Sequence, residues 1–171
     1  MTPMLYILGM SHPLQCGAAE CPASLRATFE ADLRKVCASH DIRRVAEEMS
    51  KEGLDRYGVT ETIGQRIAKE LKFAYCGVDL NREERQELCL DDTPVLTTVM
   101  NHALPGGNAA FRQAFDELVD EVRERCWTAR LLAENNWPTL FICGANHVKC
   151  MARLWRSLGL YAVVIQHDYE P

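Results

Sequence analysis

The chain has 171 residues, 47% hydrophobic and 25% charged, with a formal net charge of -5. This is ordinary globular usage for one domain spanning residues 1–171, and its acidic balance excludes nucleic acid as an expected partner. No apolar run approaches the roughly 18 residues a bilayer span needs, and polar residues follow the first apolar stretch at once, so no membrane association and a cytoplasmic location are expected.

Residues 4–8 are apolar throughout, the pattern of a short strand covered on both faces. Residues 13–22 read as loop. A helix follows over 23–39, where Leu25, Phe29, Leu33, Val36 and Cys37 recur at spacings of three and four. Residues 42–46 form a second strand interrupted by Arg43 and Arg44, and strand, helix, strand makes one right-handed crossover. Helical pieces at 51–57 and 63–71 lead to a third strand at 73–78, with Thr60 or Thr62 as the cap of the second piece. The polar run 81–88 opens another helix with Arg82 and Arg85 on one face. Residues 89–108 carry Asp92-Thr93-Pro94 and Pro105-Gly106-Gly107 and read as a long irregular connection, of a length usually tied to function, that covers the site. The strongest helical pattern runs over 109–135. A strand at 139–143, a helix at 147–158 and a strand at 161–165 complete the chain. The expected fold is α/β: a single-domain, three-layer structure with a mostly parallel sheet of about five strands and helices on both faces.

Four strand ends carry the chemistry. The first is followed by Gly9-Met10-Ser11-His12, the second by Glu47 and Glu48, the third by Asp79, and the fourth by Gly144-Ala145-Asn146-His147. Each has a plain structural reading alone, but in an open parallel sheet the crevice beyond the carboxyl ends of the strands is where ligands bind. His12 and His147 must then meet across one cleft with an acidic side chain from 47 or 48. Glycine after a strand allows close backbone approach, and Asn146 leads into the next helix, so His147 is well anchored while His12 is expected on a loop. Glu47 and Glu48 point to opposite sides if both continue the strand; Glu48 is the expected ligand or general base, and Glu47 the partner of an arginine.

Two imidazoles and a carboxylate are the donor types for a divalent metal such as manganese, zinc or iron, with His12, Glu48 and His147 as ligands. Without a metal the same groups suit acid/base work, with Arg82, Arg85 or Arg125 stabilising developing charge. The competing reading is a non-catalytic binding or regulatory protein whose crevice, with Asp79, Arg82, Arg85 and Asn146, holds an anionic small molecule or nucleotide. Weaker alternatives place a zinc fragment at Cys16, Cys21 and His12, or a nucleophile at Cys16. The eight cysteines fall mostly in strand and helix patterns where a reduced thiol packs as a small hydrophobe. Trp127, Trp137 and Trp155 are divided between core and a candidate homodimer face.

This arrangement resembles the superfamily of erythromycin esterase, TraB, ChaN and Tiki proteins. The resemblance rests on Gly9 with His12, on Glu47 with Glu48, on a helical arginine among Arg123, Arg125 and Arg130, and on Cys143-Gly144-Ala145-Asn146-His147. It implies hydrolysis through His12, Glu48 and His147, supported by Glu47 and one arginine, with divalent metal or haem iron in some members. For a chain this short, it implies a small soluble ester, amide or phosphoester as substrate.

Overall fold

The computed structural model describes residues 2–90 and 109–170, residues 109–112 by their backbone alone. The connection expected at 89–108 lies outside the described residues from Asp91 onward, as does His102. Five strands form one sheet: β1 (Met4–Met10), β2 (Arg44–Glu47), β3 (Ala74–Gly77), β4 (Thr139–Gly144) and β5 (Tyr161–Gln166). All are parallel, in the order β3-β2-β4-β1-β5. Among the described residues seven α-helices surround them: α1 (His12–Cys16), α2 (Ala23–Ser39), α3 (Lys51–Arg56), α4 (Ile63–Leu71), α5 (Arg82–Glu87), α6 (Ala109–Ala133) and α7 (Val148–Ser157).

The alternation of strand side chains divides the core in two. Leu5, Ile7, Phe141 and Cys143 pack with Trp127, Leu131, Met151 and Trp155 from α6 and α7. Leu8, Met10, Leu140, Ile142 and Val45 pack with Leu14, Phe29, Leu33, Ile63 and Ile67 from α1, α2 and α4. The three tryptophans are all core, at 0% exposure for Trp127 and Trp155 and 3% for Trp137, which removes the dimer face expected of them.

Two local expectations are corrected. His12 is not on a loop but opens α1, because Pro13 suits a helix's first turn: its fixed φ is already helical and its missing N–H is one the turn leaves unpaired anyway. Gly17 ends α1 at φ 66, donating its N–H back to Leu14. In β2 the arginine that interrupts the apolar pattern is itself interior. Arg44, 0% exposed, donates to Thr139 Oγ1 at 3.0 Å and to the Leu131 carbonyl at 2.8 Å, and its guanidinium lies over the Trp137 ring. Its hydrogen bonds replace the water it has lost.

The C-terminal residues cross the end of β1, where Tyr169 donates its N–H to the Gly9 carbonyl at 2.8 Å. A Cβ on Gly9 would stand 1.9 Å from the His167 carbonyl oxygen and 2.5 Å from Val148 Cγ2. The first Gly-x-x-His thus needs its glycine for packing. Gly9→Ala is expected to lower unfolding free energy by about 2–3 kcal/mol, the upper range for overpacking. Urea unfolding checks this; a loss of less than about half a kcal/mol would be that of an ordinary surface site.

Candidate functional site

The adjacency of β1 and β4 decides the site. Gly9 pairs with Cys143 and Met10 with Gly144, so the two Gly-x-x-His segments leave the sheet side by side at its carboxyl edge. β2 borders β4 on the other side, and Glu48 N–H donates to the Ile142 carbonyl at 2.9 Å. The Glu48 carboxylate lies between the two imidazoles: His12 Nε2 is 3.6 Å and His147 Nε2 3.5 Å from the same oxygen, Oε1. The Gly144 N–H donates to Oε2 at 2.8 Å. A Cβ on Gly144 would sit 3.3 Å from that carboxylate, a tight contact beside the site.

Each ring is anchored through Nδ1. His147 Nδ1 is 2.9 Å from Glu124 Oε1, and His12 Nδ1 is 3.1 Å from Gln15 Oε1. Gln15 is oriented in turn, since its Nε2 donates to Glu47 Oε1 at 3.2 Å. With the amide oxygen turned to His12, Nδ1 carries that ring's proton and Nε2 presents a lone pair, a tautomer assigned from the network. His147 is buried, which alone would disfavour its charged form; the bond to Glu124 and the negative charges of Glu48 and Asp120 outweigh this and hold its pKa above the usual imidazole value.

Glu47 and Glu48 do take opposite sides. Glu47 faces α4, where the Thr62 hydroxyl donates to it and where any side chain at Gly64 would collide with its carboxylate. It binds no arginine among the described residues, contrary to expectation. Burial raises its pKa from 4.5 to about 7, against the opposing effect of hydrogen bonds from Thr62, Tyr75, Gln15 and the Gln65 N–H. A carboxyl whose folded pKa is raised contributes stability that is complete below 4.5 and lost as pH climbs through about 7. Glu47→Gln should therefore gain about 3 kcal/mol relative to the native chain between pH 4 and pH 8.5. Denaturant melts across that range check this; a constant difference between the two proteins would show that Glu47 does not titrate there.

The arginine that α6 brings to Glu48 is Arg123, not the expected Arg125. Arg123 Nη2 donates to Glu48 Oε1 at 2.7 Å and to Asp79 Oδ1 at 3.1 Å, and its guanidinium lies over the Trp127 ring. Arg125 sits two residues on, about 200° around the helix, where it pairs with Glu121 and is 57% exposed. Asp79 also departs from its expected role. Its side chain, 8% exposed, holds Arg123 and receives in addition the Arg85 guanidinium at 2.6 Å and Trp127 Nε1 at 3.1 Å. Arg85 is thereby committed to Asp79 and to the Leu80 carbonyl, and Arg82 is solvent-exposed on α5, so the anion grip expected of this pair is not assembled. Asn146 lies exposed on the 3₁₀ turn Ala145–His147.

Gln15, Asp120 and Glu124 complete the cluster and were not expected from sequence. For α6 a signal exists: Asp120, Arg123, Glu124 and Trp127 recur at three and four, placing polar residues on the stripe that faces the core. Gln15 has no such signal. The cysteine alternatives weaken: Cys16 is buried beside Met49, and desolvation together with the Glu47 charge pushes its thiol up to about 12, where little nucleophilic thiolate exists.

His12, Glu48 and His147 have the donor types of a divalent-metal site, but their placement does not fit one. Among the described residues no three histidine, cysteine or carboxylate groups are arranged to hold an ion, and Arg123 already bonds the oxygen that both imidazoles face. The arrangement supplies instead an exposed imidazole and a buried one across a clamped carboxylate. Also among the described residues, no helix is long and apolar enough to cross a membrane. Comparisons of the chain with protein-family models, with curated proteins and with solved structures return no match.

Proposed function

We propose that the chain is a hydrolase of a small ester, amide or phosphoester, with His12 as general base and His147 as general acid. One observation carries the reading. Both Nε2 atoms face one Glu48 oxygen, yet the His12 side chain is 38% exposed while those of His147 and Glu48 are 9% and 2% exposed. Water reaches one imidazole, and the other is held in a carboxylate-lined wall.

The roles follow from the anchors. The Gln15 bond at Nδ1 leaves Nε2 of a neutral His12 free to take a proton from water, whose oxygen then attacks the carbonyl or phosphoryl centre. His147, whose protonated form Glu124 and Glu48 favour, gives its Nε2 proton to the departing oxygen or nitrogen. Glu48 is fixed by Arg123 and the Gly144 N–H, so its charge is in place before substrate arrives. The resemblance to the esterase superfamily supports the same choice of residues.

The test is product release from a panel of small chromogenic esters, anilides and phosphoesters. His12→Ala should cut turnover about 10²–10⁴-fold, the usual worth of a positioned base, with an unchanged circular dichroism spectrum. Full turnover in that variant, or uptake of substrates without conversion by the native chain, would overturn the proposal. Loss of turnover on chelation would replace it with a metal-dependent reaction.

A further inference from the structure

We infer that the site selects an ester or amide whose departing half carries a positive charge, and that Asp120 is the group that recognises this charge. The inference rests on the hydrolase reading above, in which the departing atom is the one that faces His147 Nε2. Asp120 Oδ1 lies 4.0 Å from that nitrogen, so a substituent next to the departing atom comes within reach of Asp120. The Asp120 side chain is 44% exposed, whereas those of Glu48, Asp79 and Glu124 are 8% exposed or less. Of these four carboxylates, Asp120 is the one a substrate can touch.

Alone, Asp120 would be an ordinary i,i+3 partner of Arg123 on the helix surface. Two observations set it apart. Only one of its oxygens is engaged: Oδ1 accepts from Arg123 Nη1 at 3.2 Å, and Oδ2 has no partner among the described residues. The cations bonded into the cluster, moreover, are already committed. Each of the three Arg123 nitrogens donates to Glu48, Asp79 or Asp120, and Arg85 donates to Asp79 and to the Leu80 carbonyl. Four carboxylates thus stand against two guanidiniums and one imidazole, and they remain in excess when His147 is protonated. The sequence of residues 91–108 has the same sign, with Asp91 and Asp92 and neither lysine nor arginine. An anionic substrate, a phosphoester included, meets a wall of its own charge, whereas a cation is drawn to it.

Esters of amino alcohols have the matching dimensions. Two carbons separate the departing oxygen from the nitrogen, and bonds of about 1.5 Å set those atoms roughly 3–4 Å apart, close to the spacing of His147 Nε2 and Asp120 Oδ1. In the reaction His12 takes a proton from water as its oxygen bonds the acyl carbon. The carbon–oxygen bond to the alcohol then breaks, and the departing oxygen takes the Nε2 proton of His147. Acid and amino alcohol leave, and the proton on His12 passes back to His147 through solvent.

Butyrate esters of three alcohols test this: choline, its uncharged carbon isostere neohexyl alcohol, and the anion isethionate. Acid release at constant pH should give a kcat/KM about tenfold higher for the choline ester than for the neohexyl ester, a modest value for one charge pair at about 4 Å near a protein surface. The isethionate ester should be the poorest of the three. Asp120→Asn should bring the ratio of choline to neohexyl ester to about one, whatever it does to the turnover of both through His147. A native ratio near one, or a ratio that Asp120→Asn leaves unmoved, overturns the inference. The free alcohols separate it from the hydrolase reading. Choline, and not isethionate, should move the His147 imidazole shifts in NMR spectra of the native chain, and should not move those of Asp120→Asn. Choline binding of this kind without hydrolysis of any ester would refute the hydrolase reading and uphold the charge preference of the site; hydrolysis without a preference for choline would do the reverse.

Discussion

Arg123→Leu is expected to lower unfolding free energy by about 3–5 kcal/mol, the cost of removing one partner from a buried ionic network. The guanidinium separates Glu48 from Asp79 and donates to both, and their side chains are only 2% and 8% exposed. Without it, two carboxylates face each other with little water, and one must protonate or draw solvent inward. Arg123→Lys should recover only part of the loss, because an ammonium cannot reproduce the planar fork that reaches Glu48, Asp79 and Asp120 together. Arg125→Leu is the control. Its exposed pair with Glu121 should contribute no more than about 0.5 kcal/mol. Urea unfolding of the three variants decides the assignment; equal losses at 123 and 125 would contradict the placement of Arg123 between the carboxylates.

Glu48→Gln is expected to cut turnover about 10²–10⁴-fold while keeping the side-chain volume. The amide retains an oxygen for the Gly144 N–H but carries no charge to hold His147 in its cationic form. The raised pKa of His147 works against desolvation and rests on three supports, the bond to Glu124 and the fields of Glu48 and Asp120. Removing the second should move the His147 titration downward. Imidazole proton shifts followed by NMR measure that directly, and the alkaline limb of the rate profile should fall with it. Turnover equal to the native chain's would end the role given to Glu48. Lost turnover with an unmoved His147 titration would instead make Glu48 a group that acts on substrate directly.

The raised pKa of His147 has a consequence for stability as well. Its folded pKa lies above that of an unfolded imidazole, so its contribution is complete below about pH 6.5 and is lost as pH rises through the folded value. Glu47 acts in the same direction from the other side of the sheet. Both groups make the folded chain better suited to mildly acidic than to alkaline solution.

Much of this was written in the chain. Short runs bounded by glycine, proline and acidic residues locate all five strands, most plainly β1 and β4, which are covered on both faces and are mostly apolar along their length. The period of two in a strand separates Glu47 from Glu48 without any coordinates, and strand-end glycines mark both histidines. What sequence could not settle is every choice that depends on distant partners. Whether Arg123, Arg125 or Arg130 enters the cluster is decided by how α6 rotates against the sheet, and that is set by Trp127 and Leu131 packing on Phe141. Gln15 matters only because a five-residue helix, too short to show periodicity, carries it under His12. The order β3-β2-β4-β1-β5 sets His12 beside His147 and leaves β5 at the edge. Pairing between strands more than a hundred residues apart follows from the packing of the whole core, so local pattern names the groups and tertiary structure alone decides which of them meet.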